Sequence, residues 1–186
     1  MEQIIRKKVT LPLNPDIIKE LNAGDALLLT GYLYTARDAA HKKLVAMIEN
    51  GEDIPINLEG ETIYYAGPCP SKPGEIIGSA GPTTSGRMDR YAPTLLQKGL
   101  LGMIGKGART NQVVDAMKAA GGIYLGATGG AGALIAQRVR SAQIVAFPEL
   151  GTEAIRRIYV EDFPVIVLID LAGNNQYEIG KDKYRK

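Results

Sequence analysis

Cysteine is almost missing from this chain, with one among 186 residues. A lone thiol permits no disulfide framework, and a reducing cytoplasm is the expected location. The same count prevents the chain from holding a thiolate-bound metal cluster or a cysteine zinc site by itself. Tryptophan is absent and phenylalanine occurs twice, so Leu, Ile, Val and Ala must fill the core. No apolar run approaches the ~20 residues of a membrane span, and residues 1–8 lack the apolar stretch of a secretory signal. Charge of one sign is also lacking. The formal net charge is +2, too little to imply a nucleic-acid partner. Basic residues come as scattered pairs, and the lysine-rich tail at 181–186 reads as a solvated terminus.

What is present is an ordinary globular composition, 45% apolar and 23% charged. Glycine, at 22 residues, predicts tight turns and close backbone approaches. The length fits one domain over 1–186, large enough to bury roughly two thirds of its unfolded surface.

Residues 4–11 alternate and predict a strand, followed by a Pro-initiated helical turn at 15–21 and a buried strand at 25–34. Thr35 to Asp38 has capping-box spacing and predicts a helix through Met47. Residues 62–66 and 75–79 read as strands around a Pro-rich loop, and 81–89 as a turn entering a helix that ends near Gly99. Strands at 100–104, 122–125 and 143–147 then alternate with helices at 110–120 and 130–137. Two further strands, 154–160 and 164–170, close the chain before a Gly-Asn-Asn turn. The pattern predicts an α/β fold with a mixed sheet, two β layers and one helical layer.

Three segments share one plan: a strand ends, a small-residue turn follows, and a cation stands near the next helix start. Arg37 follows Thr35 and Ala36; its fork suits a carboxylate at a helix entrance, or it pairs with a surface carboxylate. Thr83, Thr84 and Ser85 crowd one turn beside Arg87, where capping needs a single hydroxyl; the alternative is a turn with spare hydroxyls. Lys106 lies between Gly105 and Gly107, a placement also common in exposed turns. Two arginines and a lysine suit a substrate with two carboxylates. The loop from Gly126 to Gly132 resembles a phosphate-cradling turn but lacks a Walker lysine and an acidic residue about 20 positions on, which favours close helix–strand packing. His41, one turn after Arg37, is expected on the helix surface, with an orienting role toward Arg37 or a substrate as the alternative. Cys69, in the Pro-rich loop, reads as an inert thiol in preference to a metal ligand or redox group.

The stretches Tyr34-Thr-Ala-Arg-Asp-Ala-Ala-His-Lys, Gly81-Pro-Thr-Thr-Ser-Gly-Arg-Met-Asp and Ile104-Gly-Lys-Gly resemble the signatures of class I fumarases and L-tartrate dehydratases. The closing stretch from Glu153 to Asp170 resembles that family's C-terminal part. The likeness is to its C-terminal domain, or the separate β subunit of two-component members, and runs over about 27–170. It implies a swivelling β/β/α domain. It further implies a [4Fe–4S] cluster held by cysteines of a partner α subunit, with one iron acting as Lewis acid on the substrate hydroxyl. Carried over by position, Arg37, Thr84, Arg87 and Lys106 would bind the dicarboxylate, and Thr83 would transfer the proton with help from a partner aspartate. The expected activity is reversible hydration of fumarate to L-malate as a β subunit. L-tartrate dehydratase, a non-catalytic dicarboxylate-binding module and a nucleotide-binding protein are the alternatives.

Overall fold

The computed structural model describes residues 5–185. Ile4, where the first strand was expected to start, residues 1–3 and Lys186 lie outside that range. Strand β1 (Arg6–Thr10) leads through a short helix α1 (Pro15–Lys19) to β2 (Ala26–Thr35). Helix α2 (Asp38–Glu49) and β3 (Thr62–Tyr64) follow, then a 3-10 turn, Ser85–Met88, and α3 (Ala92–Gln97). The middle alternates as β4 (Gly102–Gly105), α4 (Asn111–Ala120), β5 (Ile123–Gly126) and α5 (Gly132–Ala136). Strand β6 (Val139–Ala146), a second 3-10 segment (Pro148–Glu153), β7 (Ile155–Ile169) and α6 (Gln176–Tyr184) complete the order.

The sheet runs β1-β2-β3-β4-β5-β7-β6, and β7 also pairs with β2. Strands β1 to β5 are parallel neighbours, whereas β7 is antiparallel to β2, β5 and β6. Because β7 touches both β2 and β5, the sheet folds back on itself and gives two β layers. Between them lies an apolar interior that includes Leu29, Leu33, Ile104, Leu125, Ile158 and Phe163. A second core, with Leu44, Ile63, Leu95, Met103 and Val113, joins the outer sheet face to α2, α3 and α4. Period-2 burial on the strands and one apolar face per helix are what this arrangement requires.

The mixed α/β architecture agrees with the sequence reading, and several local expectations are corrected. The two strands expected at 154–160 and 164–170 are one strand, β7, 15 residues long. It is irregular in the middle, where Asp162 takes a positive φ of 50° and pairing with β2 shifts register near Gly31. Such a bulge accommodates Pro164 inside a strand. Residues 75–79 form no strand; the loop closes on itself through the Cys69 N–H, which donates to Ser79 O at 3.0 Å. The helix expected after Gly81 is split, because Pro93 at the start of α3 begins a new helix after the 3-10 turn. Lysines in the tail belong partly to α6, capped by Asn175, whose side chain accepts from Tyr177 N–H. No helix among the described residues is long and apolar enough to cross a membrane.

Candidate active site

Since β2, β3, β4 and β5 are parallel and adjacent, their carboxyl ends share one rim, where ligands of α/β sheets collect. Arg37 leaves the end of β2, Lys106 directly follows β4, and the glycine loop follows β5. Residues 81–87 are drawn to the same rim by backbone bonds. The Thr83 N–H donates to Tyr65 O, just past β3, at 2.7 Å. Thr84 forms a parallel bridge with Lys106, and Ser85 N–H donates to Lys106 O at 2.9 Å. Glycine is required at 105, where a Cβ would collide with the Ser85 side chain. The structure therefore brings together all three segments singled out in the sequence. Thr83 is half-buried, and Thr84, Arg87 and Lys106 are exposed. Gly129 lies beside the Lys106 side chain, a Cβ there being 3.7 Å from Nζ.

The cations are not free of carboxylates. Asp38 Oδ1 accepts from Arg87 Nε at 2.8 Å, and Asp38 Oδ2 lies 3.8 Å from Arg37 Nε. On the other side of Arg37, Glu153 Oε1 is 3.5 Å from Nη2. Its Oε2 accepts the Ala39 N–H at 2.9 Å. That last bond corrects the expected capping box. Thr35 ends β2, paired with Tyr64 and Arg156, and its buried hydroxyl makes no hydrogen bond among the described residues. Arg37 is the cap residue, without a side-chain cap bond, and a distant glutamate satisfies the orphan donor.

Beneath the rim lies a buried polar layer that the sequence did not disclose. Asp89 accepts from Arg109 Nε at 2.7 Å and from Thr110 N–H at 2.7 Å. The guanidinium lies over the Tyr65 and Tyr124 rings, 5.5 and 4.9 Å from their centroids. Tyr124 reaches up: its hydroxyl donates to Gly107 O at 2.9 Å and is 2.8 Å from Ser85 Oγ. From the other side, Gly107 N–H donates to the Tyr177 hydroxyl at 3.0 Å. Both backbone groups of the residue after Lys106 are thus held by tyrosines. No periodicity flags such a pair: Asp89 stands between Met88 and Arg90, and Arg109 between Ala108 and Thr110.

His41, expected on the surface, is fully buried. Its face of α2 packs on Tyr65, with ring centroids 5.2 Å apart. Nδ1 is 2.8 Å from Arg37 O, and since a carbonyl only accepts, Nδ1 carries the proton. Any link to Arg37 therefore runs through the backbone and not the guanidinium. Burial pulls the imidazole down to about 4. Cys69 is an exposed free thiol. It lines a surface cleft with Ile77, Ile144 and Arg156. In the glycine loop, Gly132 packs against the 79–81 segment, where a Cβ would meet Ser79 Oγ at 2.5 Å. Close packing is a sufficient reason for that glycine.

The fold is an α/β domain on a mixed sheet, with Arg37, Arg87 and Lys106 at one strand-end rim. Comparison with known proteins narrows this: a model of the fumarase C-terminus family matches residues 2–180, and the chain belongs to that family. It is 47% identical over 154 residues to the aerobic class I fumarate hydratase of Escherichia coli K12, covering 82% of this chain and 28% of that protein. Fumarate hydratase 2 of Leishmania major is 43% identical over 162 residues, again 28% of its length. A putative L(+)-tartrate dehydratase subunit beta of Methanocaldococcus jannaschii is 37% identical over 176 residues, 91% of this chain and 90% of that protein. The chain thus spans under a third of the fumarate hydratases.

Proposed function

We propose that this chain is the β subunit of a two-subunit iron–sulfur hydro-lyase that hydrates fumarate to L-malate reversibly. The observation that carries the reading is the gathering of Arg37, the Thr83–Arg87 turn and Lys106 on one strand-end rim. The tartrate dehydratase relative, named a subunit beta and matched over 90% of its length, supports a two-subunit enzyme. In this reading Arg37, Thr84, Arg87 and Lys106 grip the substrate carboxylates. Forked guanidinium donors and an ammonium are well suited to the negative charge that builds on a carboxylate as the neighbouring carbon loses its proton.

Thr83 is assigned the proton. A threonine hydroxyl is far too weak an acid to be ionised at neutral pH, so it acts as a relay between the substrate carbon and a carboxylate of the α subunit. Its half-buried position is compatible with that role. The [4Fe–4S] cluster implied by the family resemblance does not fit this chain's donors. The sequence has one cysteine, and among the described residues no group of three His, Cys, Asp or Glu is placed to hold a metal ion. The cluster is accordingly assigned to the α subunit.

The test is anaerobic turnover of fumarate and of L-tartrate by the chain with and without a co-expressed, cluster-loaded α subunit. Activity only in the combined sample supports the half-enzyme. Thr83→Ala should then remove most turnover, on the order of the 10²–10⁴-fold typical of a lost acid–base group, with assembly intact. A near-normal rate in that variant sinks the proton role. A second reading, L-tartrate dehydratase, is favoured by the near full-length match to the tartrate dehydratase subunit, and substrate preference decides between them. Dicarboxylate binding without turnover in the loaded complex would leave a non-catalytic binding module.

A further inference from the structure

Asp38 suits the positive end of the α2 dipole, but its side-chain contacts go further than that. It is the first residue of α2, yet its carboxylate is turned to two arginines, Arg37 on its own loop and Arg87 on the 3-10 turn. We propose that Asp38 is a positioning residue that holds Arg37 and Arg87 side by side as the two arms of the carboxylate clamp, with Gly67 providing the space in which the Arg37 arm lies. The proposal rests on the functional reading above.

Three observations support it. First, Asp38 meets Arg87 at Nε, one edge of the fork. The Nη1–Nη2 edge has no hydrogen bond within the chain among the described residues and can take a carboxylate in bidentate fashion. Second, charges alternate along Glu153, Arg37, Asp38 and Arg87. Without the central carboxylate, two guanidinium groups from separate segments would face each other and repel. The Arg37–Asp38 separation of 3.8 Å is a loose ion pair, and Asp38 Oδ2 makes no hydrogen bond; Arg37 can adjust to a ligand without breaking one. Third, a Cβ on Gly67 would lie 2.9 Å from both Cδ and Nη1 of Arg37. Gly67 has no positive φ, so alanine is conformationally permitted there; the flexible Arg37 side chain must yield most, with Thr152 O at 3.3 Å a lesser, tight contact.

The two handles allow a test that separates positioning from folding. Asp38→Ala, Asp38→Asn and Gly67→Ala are assembled with the cluster-loaded α subunit and assayed with the substrate preferred by the wild type. Asp38→Ala should raise KM at least ten-fold with kcat changed less than about three-fold, and Asp38→Asn, which keeps an acceptor for Arg87 Nε, should lie between it and the wild type. Gly67→Ala, which removes no charge, should raise KM in the same direction. In the full chain alone, solvent exchange of the Arg87 Nε–H, read by nitrogen-15 NMR, should accelerate in Asp38→Ala. Wild-type KM in both alanine variants, or unchanged Nε–H exchange, overturns the proposal. If the wild-type complex itself is inactive, the hydro-lyase reading fails separately, and the exchange rate still decides whether Asp38 holds Arg87.

Discussion

Two arginine–carboxylate groupings lie within a few residues of each other in the fold and are built on opposite terms. On the rim, the Arg87 side chain is 50% exposed and the Arg37 side chain 22%; their contacts with Asp38 and Glu153 run from 2.8 to 3.8 Å. In the layer beneath, the Arg109 side chain is fully buried, 2.7 Å from Asp89, with aromatic rings around it. The outer cations keep donor edges available. The inner cation is held on Nε by Asp89 and on Nη1 by Met103 Sδ, and its buried Nη2 is without a hydrogen-bond partner among the described residues. A guanidinium meant for a ligand is left under-coordinated, and one meant to hold loops in place is walled in. Through Tyr124 and Ser85 the inner layer touches the two turns that carry Thr84 and Lys106.

The sharpest way to break this contrast is to remove one member of an ion pair from each grouping, Asp89 from the inner and Arg87 from the outer. Asp89→Ala leaves Arg109 buried without its partner and frees the Thr110 N–H, a change that typically costs about 3–5 kcal/mol. Arg87→Ala on the rim should cost under about 1 kcal/mol in stability, and its loss should be visible in substrate KM. Urea unfolding of both variants reads the difference. Equal stability losses would mean that the inner pair is hydrated like the outer one.

A smaller effect is expected from His41, and it sharpens the description of the inner layer as dry. Burial depresses its pKa from 6.5 to about 4, with the Arg109 guanidinium acting in the same direction and the Arg37 carbonyl and Asp38 opposing. Above pH 6.5 the ring is neutral in both folded and unfolded chains, and the shift has no effect. As pH falls from about 6.5 toward 4 the unfolded chain takes up the proton and the folded chain does not, so stability is lost over that window. At about 1.4 kcal/mol per unit the full loss is on the order of 3–4 kcal/mol. His41 is the sole histidine, so its ring resonances in proton NMR are unambiguous. They should not titrate until the pH nears 4. Titration near 6.5 would show that water reaches the Tyr65–Arg109 layer.

The outer grouping was far more legible in the sequence than the inner one, for a physical reason. Rim residues announce themselves by composition, because turns that present cations need glycine, proline and hydroxyls, as around Thr83 and Lys106. The mixed α/β layering was legible too, from alternating apolar segments. Asp89, Arg109 and Tyr124 gave no such signal, since the Arg109–Asp89 and Tyr124–Ser85 contacts span 20 and 39 residues and only the fold joins them. His41 misled for a related reason. The two lysines that follow it suggest an exposed face, but Leu44 and Val45, one turn on, share its buried side, and Tyr65 and Tyr91 pack across it. The cap of α2 failed likewise: local spacing pointed to Thr35, while the acceptor, Glu153, comes from 114 residues further on.

The smallest predicted effect tests whether the two groupings are coupled. Gly107, with a φ of 85°, carries the turn after Lys106, and its two backbone groups are bonded to Tyr124 from the inner layer and Tyr177 from α6. Tyr177→Phe removes one hydroxyl and nothing else. Tyr177 is 37% exposed, so water can replace the lost acceptor, and the stability cost should sit at the low end of the 0.5–1.5 kcal/mol usual for a hydrogen bond, near about 0.5 kcal/mol. The local consequence should be clearer than the global one. Amide exchange at Gly107 should accelerate while exchange in β4 and β5 stays at wild-type rates, because the strands keep their ladders. Substrate KM should rise modestly, as Lys106 is then anchored from one side. If Gly107 exchange is unchanged, α6 is merely packed against the fold; if β4 and β5 also loosen, rim and inner layer form a single cooperative unit and the distinction between them is one of exposure alone.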